Sequence, residues 1–170
     1  MFLRGVNVGG HRTFRPAVLA KELSEFEVVN VGAAGTFVVR TSVRHTELRA
    51  ALKRKLSFET EQMICRARDV LELIREDPFH GSLTGKDVRR FVTVLAKRPR
   101  SLPRLPIVGP ATGEWQVKVI AVRGVFALSL WRRLGKAILY PNAVVEKAFG
   151  VPATTRAWDT LLEVRGVLEG

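Results

Sequence analysis

Two glycine-bearing turns and the basic residues beside them are the part of this chain best suited to chemistry. Phe2-Leu3-Arg4-Gly5-Val6-Asn7-Val8-Gly9-Gly10-His11 reads as a strand running into a paired-glycine turn, with a helix starting near Pro16. Backbone N–H groups at such a turn can converge on an anion, and a helix N-terminus adds partial positive charge. A second turn, Gly32-Ala33-Ala34-Gly35, separates two β-branched runs. The candidate ligand-binding residues are therefore Gly9, Gly10, His11, Arg12, Arg15, Gly32, Gly35 and Thr36, joined by Asn7, Arg156 and Trp158. The chemistry would be capture of a small anion. The competing reading is that these glycines only permit tight turns with positive φ. Asn7 can tie the two loops together through its amide, or touch a ligand. Arg156 is expected at a helix start, where the dipole is unfavourable to a cation. It then either meets a carboxylate or ligand phosphate, or faces solvent.

The elements that must position these residues follow from periodicity. Met1–Val6 is an apolar strand, and Pro16–Phe26 is a helix with Val18, Leu19, Leu23 and Phe26 at helical spacing. Val28–Val31 and Thr36–Arg40 form a hairpin. Thr46–Phe58 is a second helix with a Leu48, Leu52, Leu56 stripe, and Glu61–Arg66 is a strand. Strand, helix, strand, strand, helix, strand is the order of a split β-α-β plait. Asp69–Asp77 is a short helix ending before Pro78, and residues 80–85 form a turn-rich linker. Arg90–Leu95 is a strand. Lys97–Pro110, with four prolines and four basic residues, is an extended loop. Trp115–Val122 and Val125–Trp131 pair across Arg123-Gly124. Asn142–Phe149 is a helix, and Arg156–Leu168 is another with Thr155 as N-cap. The expected fold is α+β, with two ferredoxin-like (α/β-plait) subdomains over residues 1–80 and 86–170. Each has an antiparallel sheet with helices on one face, the second plait being degenerate.

In such a plait the first and third strands are adjacent and antiparallel. The loop Gly9–Arg15, the turn Gly32–Thr36 and the loop Ser57–Thr60 should then share one edge, and the facing glycine turns would frame an anion pocket.

Three motifs carry a family resemblance: Leu3-Arg4-Gly5-Val6-Asn7-Val8-Gly9-Gly10-His11; Val31-Gly32-Ala33-Ala34-Gly35-Thr36-Phe37-Val38-Val39; and Pro141–Lys147 continuing through Gly150–Thr160. With these the chain resembles the bacterial family called Domain of Unknown Function 1697. The resemblance implies two α/β-plait subdomains and brings no established activity. The family pattern usually has an amide where this chain has Thr36, Ala157 and Asp159. If those amides bind a ligand in the family, their loss alters binding here.

Net charge is +12, and it is uneven. Residues 1–85 carry 13 Lys/Arg against 10 Asp/Glu, while residues 86–170 carry 15 against 6. A concentrated positive field attracts polyanions by counterion release. The nucleic-acid alternative therefore rests on Arg89, Arg90, Lys97, Arg98, Arg100, Arg132 and Arg133. The plainer explanation is an arginine-rich surface. Arg123-Gly124-Val125-Phe126-Ala127 faintly echoes an RNA-recognition signature but lacks its stacking aromatics at 125 and 127. Trp131 is then the one residue of that hairpin's outer face able to stack a base.

No phosphate-binding Gly-Lys-Ser/Thr follows Gly9-Gly10, and the dinucleotide glycine fingerprint is absent. His11, His45 and His80 lack paired metal-ligand spacing. No cofactor, metal or catalytic residue is assigned. An enzyme acting on a phosphorylated or carboxylated small molecule, with His11 or Asp159 moving protons, is a rival reading. The lone Cys65 reads as a small buried hydrophobe rather than a reactive thiol. No apolar run approaches the roughly 20 residues of a membrane span and no secretory pattern opens the chain, so a cytoplasmic location is expected, without a membrane partner.

Overall fold

The computed structural model describes residues 1–7, 14–82, 85 and 87–170. In chain order its elements are β1 (Phe2–Leu3), α1 (Pro16–Glu22), β2 (Val28–Val31), β3 (Thr36–Val39), α2 (His45–Lys55), β4 (Gln62–Met63) and α3 (Ala67–Arg75). There follow β5 (Val88–Leu95), β6 (Ile107–Gly109), β7 (Val117–Arg123), β8 (Phe126–Arg132), α4 (Pro141–Phe149), β9 (Ala153–Ala157) and α5 (Trp158–Glu169). The class is α+β, with two antiparallel sheets ordered β2-β3-β1-β4 and β6-β7-β8-β5-β9. Setting aside β6, both sheets run fourth-first-third-second in the strand order of their own half. In the first half α1 and α2 make the two crossovers. In the second half α4 makes the later one, while the earlier is the proline-rich segment, which adds β6 as an edge strand. Proline removes a backbone donor and breaks helices, so that segment runs extended.

Alternation of side chains along each strand sends them to two faces. Leu3, Val28 and Phe37 turn toward Leu19 and Leu23 of α1 and Leu48 and Leu52 of α2. Phe2, Val31, Val38 and Met63 turn the other way and join Val70, Leu73 and Ile74 of α3 and Trp158, Leu161 and Val164 of α5. The same central core takes Val92, Val94, Phe126, Leu128 and Leu130 from the second sheet. The outer face of that sheet packs Leu95, Val119, Ala127 and Trp131 against Val145 of α4. Helices α3 and α5 thus fill the space between two sheets. Among the described residues no helix is long and apolar enough to cross a membrane.

Two local expectations are corrected. Arg156 does not open a helix. It lies in β9, paired with Val92, and α5 begins at Trp158 with Ala157, not Thr155, at its N-cap position. A Thr-rich segment after a helix can start another helix or pair as a strand, and here β5 offers it a ladder. The second hairpin turns at Gly124-Val125, one residue later than expected, with Arg123 opposite Phe126 and an irregularity between Val119 and Ala121. The shifted turn by itself keeps the expected faces, whereas the extra residue at the irregularity exchanges them beyond it. Val117 and Val119 therefore lie with Trp131 on the α4 side. Trp131 is buried, its indole N–H donates to the Leu139 carbonyl at 2.8 Å, and its ring stacks on Tyr140, so it is no base-stacking platform.

The Gly32–Gly35 turn distinguishes two kinds of glycine. Both ends have positive φ. A Cβ at Gly32 would meet open space, whereas one at Gly35 would lie 2.6 Å from Val6 Cγ2 and 3.1 Å from Leu3 Cβ. Gly32→Ala should cost about 1 kcal/mol of backbone strain, and Gly35→Ala about 3 kcal/mol or more because the core must also shift. Urea denaturation of the two variants checks this, and equal losses would contradict it.

Candidate functional site

The end of β1 gathers the groups of interest. The Asn7 amide nitrogen donates to the Ala33 carbonyl at 2.9 Å and the Phe14 carbonyl at 3.2 Å, and its oxygen accepts from the Phe14 N–H at 3.0 Å. One side chain thereby ties the loop after β1 to the β2–β3 turn and closes the two ends of segment 8–13 on each other. Asn7 has φ +55, a conformation asparagine tolerates better than most residues. Thr60 Oγ1 donates to the Arg4 carbonyl at 2.6 Å, and Phe58 meets Phe14 edge-on at 5.9 Å. The loop between α2 and β4 therefore lies at the same edge. Gly9, Gly10, His11 and Arg12 lie outside the described residues.

Arg156 enters this edge from the second sheet. It is 7 % exposed. Nε donates to Thr36 Oγ1 at 2.7 Å, Nη1 to Thr154 Oγ1 and the Thr155 carbonyl at 2.8 Å each. Nη2 donates to the carbonyls of Leu3 at 2.9 Å, Ala34 at 2.6 Å and Gly35 at 3.3 Å. Every N–H of the guanidinium fork has a partner. Among the described residues none of those partners is a carboxylate, and no ion pair involves Arg156. The cation is held by neutral oxygen dipoles. Burial lowers its pKa to about 10, which leaves it charged at neutral pH. Thr36, 0 % exposed, spends its hydroxyl on this contact. The turn carbonyls of Ala33, Ala34 and Gly35 all point to donors within the protein.

A second tie runs alongside. Arg4 Nε and Nη2 both lie 2.8 Å from Glu146 Oε1 on α4, and the same oxygen accepts from the Ala153 N–H at 2.8 Å. The three sequence motifs, remote in the chain, meet here: Leu3 and Arg4 from the first, Ala34 to Thr36 from the second, Glu146 and Ala153 to Arg156 from the third.

The protein-family model for "Protein of unknown function (DUF1697)" matches residues 1–120. The chain belongs to that family. The third motif lies beyond the matched residues. Searches of the curated proteins and of the solved structures find no match.

Next to the Arg156 cluster, an open cleft of about 730 Å³ runs between α2 and the segment leading to β4, lined by Arg4, Arg49, Lys53, Ser57, Thr60 and Glu61 among others. Arg49 and Lys53 stand one turn apart on α2, on one helix face. Neither is in an ion pair among the described residues, and Arg49 makes a long 3.4 Å contact to Gln62. A smaller hollow of about 340 Å³ adjoins it through Leu56, Ser57 and Phe58 and is lined by Arg15, Lys55 and Glu22. Sequence reasoning placed Arg15 at this edge but missed Arg49 and Lys53, although their four-residue spacing was visible. Trp158 is enclosed in the central core, edge-on to Phe79 at 5.1 Å, and lines neither hollow. Ala157 pairs with Phe91 at the end of β9, and Asp159 is exposed in the first turn of α5.

The basic residues of the second half divide. Register sets Val88 opposite Arg132 and Arg89 opposite Trp131, so Arg89, Arg90, Arg132 and Arg133 gather at one end of β5. Lys97, Arg98 and Arg100 follow its other end, roughly 25 Å away along an eight-residue strand.

Cys65 packs against the central core, and burial pushes its thiol up to about 11. Above the ordinary thiol pKa the unfolded chain releases this proton while the folded chain keeps it, so stability falls as pH rises through about 9 to 11. At pH 8.5 the thiolate population should be roughly 100-fold lower than in the unfolded chain. Iodoacetamide labelling followed by mass spectrometry should show slow modification in native buffer and fast modification in urea.

Arg156→Lys should destabilise by about 3 kcal/mol, because an ammonium cannot reach all these acceptors and leaves buried carbonyls unpaired. Arg156→Met should cost as much or more. Thr36→Val combined with either change should be less than additive, since the hydroxyl and guanidinium serve each other. Denaturant midpoints read all three.

Proposed function

We propose that this protein binds a small anionic ligand at the edge where β1 ends. The supporting observation is the open cleft beside Arg4 and Thr60, lined by Arg49 and Lys53, which form no salt bridge among the described residues, and by the carboxylates Glu59 and Glu61, of which Glu61 pairs with Arg4. The Ser57 hydroxyl, which also lines the cleft, supplies orientation, that of Thr60 being committed to the Arg4 carbonyl. Asn7 and Phe14, which flank Gly9, Gly10, His11 and Arg12 in sequence, are hydrogen-bonded to each other, and Phe14 lines the adjoining hollow. In this reading the cations come from α2. The Gly32–Gly35 turn bounds the site, its carbonyls being committed to Asn7 and Arg156.

Isothermal titration with inorganic phosphate and with citrate tests the assignment. The expected result is binding of at least one probe, weakened about tenfold or more in Arg49→Ala/Lys53→Ala, each lost charge contact being worth on the order of 1 kcal/mol. Absence of binding by folded protein to both probes, or an unchanged affinity in the double variant, would overturn it.

A further inference from the structure

The first end of β5 carries a cluster that the cleft does not use. Arg90, Leu130 and Lys118 stand directly opposite one another across β5, β8 and β7, so their side chains leave the same face of the sheet. Arg132, two residues beyond Leu130 and opposite Val88, leaves that face one row further out. Three cations therefore surround one buried leucine, with Cα atoms spread over roughly 10 Å. Strand β9 pairs with β5 only from Phe91 onward, and Arg90 is exposed.

Trp115 organises the cluster. Its ring lies 4.3 Å from the Arg132 guanidinium carbon and 4.9 Å from Lys118 Nζ, measured to the ring centre. Arg132 Nε donates to the Trp115 carbonyl at 2.7 Å. Among the described residues the acid in contact is Glu114, 75 % exposed and 3.4 Å from Arg132, while Arg90 and Lys118 have no carboxylate partner. The surrounding sequence reinforces the field, since Asp87 and Glu114 are the acids between Lys86 and Lys136.

We propose that this sheet face, Arg90, Lys118 and Arg132 braced by Trp115, docks the phosphate backbone of a single-stranded nucleic acid. The charges are spread over three strands at the end of the sheet face that carries the central core, which suits a row of phosphates better than one small anion. Trp115 carries cations against its ring and Trp131 is buried, so the contact reads charge and not base identity. The face lies in the second half of the chain, remote from Arg49 and Lys53 in sequence, and the two assignments fail separately.

Fluorescence anisotropy with a labelled 20-nucleotide DNA strand, at 50 and 200 mM KCl, tests it on the full chain. Three phosphate contacts predict a log–log salt slope of about −2, hence a loss of roughly 20-fold in affinity between those salts. Arg90→Ala/Lys118→Ala should bring the slope to about −0.7. Lys97→Ala/Arg98→Ala, equal in charge and at the opposite end of β5, should leave it unchanged. Circular dichroism verifies that both variants fold. No binding at 50 mM KCl, or equal loss in the two double variants, would overturn the proposal; the second result would mean that net charge alone attracts the strand.

Discussion

A buried arginine with no carboxylate partner among the described residues is the constraint on which this structure turns. Taking a guanidinium out of water costs several kcal/mol unless every N–H is met. Arg156 meets that demand with carbonyls and hydroxyls drawn from β1, from the β2–β3 turn and from its own strand. None of these is charged, so the arrangement depends on the position of many dipoles and not on one salt bridge. A shift of the turn, or of β9 along β5, would strand several buried acceptors at once. The two sheets are consequently fixed relative to each other at this point, and the edge beside it is a rigid place to put a site.

Around that point the chain repeats one solution twice. Setting aside β6, each sheet places its first and third strands centrally and its second and fourth outside, and each has two apolar faces to cover. Helices α3 and α5 serve one face of each sheet together, which is why Phe2, Val38, Val92 and Leu128 share a core although they come from opposite halves. The outer faces are closed separately by α1 and α2 and by α4. The repetition is incomplete where prolines replace a crossover helix.

The turns first noticed as anion cradles act largely as acceptors. Ala33, Ala34 and Gly35 direct carbonyls at Asn7 and Arg156. Glycine at position 35 is required because Val6 and Leu3 crowd the space a side chain would fill. Conformational freedom and close packing thus account for that turn, while Arg49 and Lys53 on the neighbouring helix α2 line the open cleft.

Periodicity alone located the first hairpin, with Val31 opposite Thr36, and both early helices to within a few residues at their ends. It also brought the end of β1, the β2–β3 turn and the α2–β4 loop to one edge, because a plait order leaves no other place for them. Asn7 as a tie between loops was legible too, since a short amide at a strand end has few other duties. What stayed hidden depended on partners distant in the chain. Residues 153–157 become a strand only because β5 has a free edge to pair with, and that pairing turns Arg156 from a helix-start residue into the buried hub. The register shift between Val119 and Ala121 puts Trp131 on the face of Val117 and Val119, where Tyr140 stacks on it, and nothing in the hairpin sequence itself marks that shift. Local sequence determines which segments can be helix or strand. Burial and register, which need the whole fold, decide which face each side chain takes and which charges remain free for a ligand.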